Sequence, residues 1–159
     1  MKFTTTILAM LIAIAGVRLT CTLSSSEASA GYAPIVAVDD AAPVEDSMHE
    51  FMEYVFQPTY LRLKASMAAA PADNKGWKAI KSDSLILAES CNLLFARKPD
   101  EHAEDWVKHA IASKSSGAEL YKAAKAKEFE TATTAWKSML NNCNGCHKQF
   151  EDGKHILQP

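Results

Sequence analysis

Near its end the chain carries seven residues in steps of three and four: Phe129, Ala132, Trp136, Met139, Cys143, Cys146 and Phe150. That spacing matches the 3.6-residue period of an α-helix and puts all seven on one face. Two of them are cysteines, so the face that must meet a core also carries reactive sulfur. Whatever the chain folds into has to place Cys143 and Cys146 inside an assembly of helices.

Three further seams share the period. Ser47-Met48-His49-Glu50 reads as a capping box, with the Ser47 hydroxyl taking an orphan amide proton and Glu50 reaching back to the cap. Behind it Met48, Met52, Val55, Phe56, Thr59, Leu63 and Ser66 form one stripe. Pro58 lies inside that stripe and predicts a kink, because proline removes a donor and crowds the carbonyl one turn back. Pro71-Ala72-Asp73-Asn74 is a break with cap chemistry, followed by Ile80, Ser84, Leu87, Cys91 and Leu94. Pro99-Asp100-Glu101 closes that helix and opens a third with a small-residue seam: Ala103, Val107, Ala110, Ser113, Gly117, Tyr121 and Ala124. Only the five-residue step from Ala124 to Phe129 hints at the turn into the fourth, and Gly153 reads as its stop. No stretch alternates with period two. The expected fold is all-α, an antiparallel up-down-up-down four-helix bundle over residues 47–153 with a tail at 154–159.

The N-terminus reads as a leader. Lys2, the apolar run from Ile7 to Val17 and Ala28-Ser29-Ala30 have the order of a cleavable signal peptide over residues 1–30, with a flexible lead segment at 31–46. A lipid anchor at Cys21 is disfavoured by Arg18-Leu19-Thr20 in front of it, where such sites want small residues. Export to the periplasm is therefore expected, with no transmembrane anchor in the mature chain. Loss of Lys2, Arg18 and Glu27 takes the basic count from 17 to 15 and the acidic count from 19 to 18, a net charge of about −3 over 129 residues. A nucleic-acid binder would need a basic surface, so that class is excluded.

The expected mature chain keeps Cys91, Cys143 and Cys146, an odd number for an oxidising compartment. Cys143-Asn144-Gly145-Cys146-His147 accounts for two of them as the attachment pattern of c-type haem. One helical turn apart, the sulfurs share a face and can form thioethers to the two vinyl groups of a porphyrin, while His147 offers its imidazole to the iron. A redox dithiol would want a βαβ setting that this chain lacks. Structural zinc would need four ligands, and Cys143, Cys146, His147 and His155 include two consecutive residues, an awkward pair for one tetrahedron. Disulfide and zinc remain as alternatives. Cys91 reads as a small buried hydrophobe, Trp106 and Leu94 as candidate pocket residues, and His49, His102, His109 and His155 as surface histidines.

The Cys-x-x-Cys-His-x-x-Phe segment, here Cys143, Cys146, His147 and Phe150, on the last helix of an exported four-helix chain resembles the cytochrome c′ family and its low-spin, methionine-ligated relatives. The resemblance covers about residues 47–153. It implies one covalent haem c per chain near one end of the bundle, redox protein partners, a homodimer in many members, and a deciding residue on the first helix facing the iron. A methionine there implies a six-coordinate electron carrier; an apolar residue implies a five-coordinate binder of nitric oxide or carbon monoxide. His147 lies about six residues, or roughly 9 Å, before Gly153, and about the same distance in from Ser47 reaches Met52, which is the candidate sixth ligand. Met48 and an open site are the alternatives. A peroxidase-like enzyme would want polar acid-base groups over the iron, and the stripe supplies none, so no enzymatic activity is expected.

Overall fold

The computed structural model describes residues 42–159. The leader, Cys21, the cleavage site and residues 31–41 of the lead segment lie outside the described residues. All regular structure among them is helical, and it forms four rods.

Ser47 caps the first rod, its Oγ accepting the Glu50 amide at 3.3 Å. The reciprocal half of the box differs, because the Ser47 amide donates to the Glu45 carboxylate at 2.7 Å. We call the rod α1; it consists of an α-helical turn, Met48–Phe51, a π-helical turn, Met52–Phe56, and an α-helix, Gln57–Met67. The irregularity therefore lies one turn ahead of Pro58. Pro58 has no N–H for the carbonyl of Tyr54 and its ring crowds that turn. A wider turn, in which the Gln57 amide reaches back to the Met52 carbonyl, carries the helix past the proline without ending it. The extra residue also changes which side chains go inside. Phe51 is the buried residue of the first turns, whereas Met48, Met52, Val55 and Phe56 are half-buried.

Asp73 caps α2, Asn74–Ser90, by accepting the Gly76 amide at 2.8 Å. The rod tightens into a 3₁₀ segment, Cys91–Arg97. Ile80, Ser84, Leu87, Cys91 and Leu94 are all buried. Asp83, also buried, takes the Arg62 guanidinium at 2.8 Å and ties α2 to α1.

The third rod, α3, is Ala103–Ala126, and the fourth, α4, is Phe129–Phe150. The turn between them explains the missing glycine signal. Lys127 adopts the left-handed conformation at φ 62° that glycine usually takes, and the Glu128 amide returns to the Ala123 carbonyl at 3.0 Å. Its ammonium also finds Asn74 Oδ1 at 2.7 Å.

Small residues let α2, α3 and α4 approach closely. A Cβ at Gly117 would sit 3.0 Å from the Ala88 Cβ and 3.2 Å from both the Ala88 Cα and the Met139 Sδ. Gly117→Val is therefore expected to cost about 1–3 kcal/mol through overpacking. Urea unfolding measures it, and an unchanged midpoint would show that the helices can part freely.

The apolar interior has two regions. Leu63, Ile80, Leu120, Ala132, Trp136 and Met139 anchor the larger one, with Tyr60 stacked on Trp136 at 5.9 Å between ring centres. The smaller gathers Phe51, Cys91, Leu94, Trp106 and Ala110, flanked by Met48, Met52, Cys146 and Phe150. α4 ends at Phe150 rather than at Gly153. The amides of Glu151 and Gly153 both return to the His147 carbonyl, and the chain turns back through left-handed conformations at Asp152, Gly153 and His155.

Candidate functional site

The beginnings of α1 and α3 meet the ends of α2 and α4 around a cavity of about 460 Å³, within the range that holds a cofactor-sized ligand. Met48, Met52 and Phe56 line it from α1; Leu87, Cys91 and Leu94 from α2; Trp106, His109, Ala110 and Ser113 from α3. α4 contributes Met139, Leu140, Cys143, Cys146, His147 and Phe150. Cys143, Cys146, His147 and Met52, which the sequence singles out from opposite ends of the described chain, thus share one largely apolar chamber. Met48 lines it too.

The helical spacing that puts the two cysteines on one face turns them toward the cavity and half-buries both. Burial pushes the Cys143 thiol up, against a weak bond to Ser113 Oγ at 3.8 Å. Burial, then the neighbouring Cys143 and Glu151, pushes Cys146 up to about 11. Cys91 is pushed up to about 12 by burial and Cys143, with Lys114 acting in the opposite direction. All three are free, protonated thiols at neutral pH, unlike the low-pKa thiolate of a dithiol redox centre.

His147 is held by the backbone. Its Nδ1 lies 2.9 Å from the His155 carbonyl. A carbonyl only accepts, so Nδ1 carries the proton and Nε2 keeps its lone pair. An imidazole fixed in this way is an oriented nitrogen donor.

His109 departs from its sequence reading as a surface residue. It is half-buried, lines the cavity and bonds Gln149 Oε1 at 2.9 Å, while Gln149 Nε2 donates to Asp105 at 2.9 Å. Its ring edge faces Gly145, where a Cβ would come within 3.2 Å of it, so the glycine of the motif makes room for the histidine. His49 and His155 are exposed, although both reach the cavity rim. Trp106 donates its indole N–H to the Leu94 carbonyl at 2.8 Å and packs edge-on to Phe150, which fixes one wall.

Among the described residues, no three His, Cys, Asp or Glu side chains converge as a metal-ion site, and no helix is long and apolar enough to cross a membrane. Comparison with family models, with curated proteins and with solved structures finds no match to this chain.

Proposed function

We propose that this chain is an exported mono-haem c-type cytochrome of the cytochrome c′ kind that carries single electrons between redox proteins of the periplasm. The observation that carries the reading is the shared cavity: both sulfurs of a Cys-x-x-Cys-His motif, its histidine and a methionine from α1 line one apolar chamber. A haem there would be held by Cys143 and Cys146, each adding its S–H across a vinyl double bond, and His147 Nε2 and Met52 Sδ would be its donors to the iron. Bound in this way, the group supplies a reversible one-electron iron couple.

The chain's own residues do the rest. Trp106, Leu94 and Phe56 give the chamber apolar walls, which favour the less charged state of whatever it holds. The backbone bond to His147 orients its ring. An antiparallel up-down-up-down arrangement is supported by the pairs along α3 and α4, where Trp106 meets Phe150, His109 meets Gln149, and Gly117 meets Met139. Structural zinc draws less support, since it needs four converging donors. A disulfide would leave the oriented His147 and the apolar chamber without a purpose.

Absorption spectra of the oxidised and reduced protein test the reading. An electron carrier gives low-spin iron in both states, cycles reversibly and takes up no carbon monoxide. The rival five-coordinate reading rests on Phe56, an apolar wall residue on the same helix. High-spin iron that binds nitric oxide or carbon monoxide would replace electron transfer by gas binding.

A further inference from the structure

The tail does not trail away from α4. Asn144, the residue after Cys143, makes two bonds to one tail residue: its Oδ1 accepts the Leu157 amide at 2.8 Å and its Nδ2 donates to the Leu157 carbonyl at 3.0 Å. Tyr60 of α1 grips the next residue, donating its hydroxyl to the Gln158 carbonyl at 2.7 Å and accepting the Gln158 amide at 3.2 Å. Between these anchors and the end of α4, the His155 carbonyl meets His147 Nδ1. His155 has φ 56°, a conformation that a non-glycine residue keeps only where its surroundings hold it. Four hydrogen bonds over two consecutive residues are what hold it here.

We propose that residues 154–159 form a strap that fixes the protonation site and orientation of the His147 ring, with Asn144 and Tyr60 as its positioning residues. The proposal rests on His147 being the iron's donor, as set out above. A carbonyl on Nδ1–H makes the imidazole more basic and its nitrogen a stronger donor to the oxidised metal. The strap therefore lowers the reduction potential as well as tethering the chain end. Of the two residues between the thiols, Asn144 thus has a task of its own. It couples the attachment motif to the donor strength of the histidine beside it.

The test compares the full-length holoprotein with Asn144→Ala, Tyr60→Phe and a chain ending at Gly153. In the parent the Leu157 amide exchanges slowly with deuterium, and the ¹⁵N signals of the His147 ring show the proton on Nδ1. In Asn144→Ala protection of the Leu157 amide falls roughly tenfold or more, as loss of two bonds implies, and the potential moves positive. Tyr60→Phe moves both readings in the same direction by less. Because Asn144 lies between the attachment cysteines, its variant can fail to mature; the chain ending at Gly153 then supplies the potential. A potential unchanged after the strap is released overturns the positioning role, and a rapidly exchanging Leu157 amide in the parent overturns the strap. If the chain carries no haem, the function proposed above fails, while amide exchange and the ring signals still decide whether the strap holds His147.

Discussion

Replacing Met52 by Ala is expected to convert low-spin iron wholly to high-spin and to create carbon monoxide binding where the parent has none. The thioether of Met52 reaches the same chamber as His147 from the facing rod, and it begins the π-helical turn that replaces a regular turn of α1. Such turns occur often at functional sites, because the added residue re-aims the side chains beside it. Methionine in a core is usually filler, and Met48 lines the cavity as well, so the comparison needs both. Met48→Ala should leave the spectrum low-spin. A high-spin parent would remove Met52 from the mechanism, and a switch seen only in Met48→Ala would transfer the role to Met48.

The second large effect is expected when Cys143 and Cys146 are both replaced by Ala, so that haem is no longer retained after acid-organic extraction. Cavities cost roughly 24 cal/mol per Å³ in a well-packed core. An unfilled apolar chamber of about 460 Å³ bears part of that cost, less where water enters it. Domains of this size have only about 5–15 kcal/mol to lose. The variant should therefore relax rather than keep the chamber. Far-ultraviolet helicity should persist while near-ultraviolet dichroism is lost and a hydrophobic dye binds. The larger apolar region around Leu63, Ile80 and Trp136 explains the surviving helicity. Equal thermal midpoints for the two proteins would contradict a cofactor-dependent core.

Much of this was legible in the sequence because side-chain period reports burial directly. Every residue of the α2 seam is inside, and so are Ala132, Trp136 and Met139 of α4. On α1 the departure follows the π turn, which changes the residues per turn and to which a fixed period is blind. In α3 and α4 the half-buried seam residues Ala103, Val107, Phe129 and Phe150 lie in the first or last turns, where fewer neighbours cover them. The expected stop at Gly153 is not where α4 ends; the helix ends at Phe150, so equal distances from the two ends do not single out Met52. Met52 and His147 line the same cavity regardless, because its wall on α1 extends from Met48 to Leu61.

His109 and the tail were missed for a different reason. A histidine with a glycine for a neighbour on another helix leaves no periodic trace, and hydrogen bonds from Asn144 and Tyr60 to backbone groups of Leu157 and Gln158 depend on no side chain in the tail. Residues 154–159 have no apolar period, so the sequence gives no sign that they return to the bundle. A hydrogen bond between a side chain and main chain leaves a sequence trace only at the residue that supplies the side chain.

The central claim is that Cys143 and Cys146 hold a haem covalently, and the intact mass of the denatured protein tests it most directly. The full chain, residues 1–159, would be produced in a host that attaches haem to exported proteins. The account predicts a mass exceeding the processed polypeptide by one haem, unchanged by acid-organic extraction and lost in the Cys143→Ala, Cys146→Ala variant. A polypeptide mass lower by two hydrogens, the mark of a disulfide, or one equal to the bare chain would contradict it.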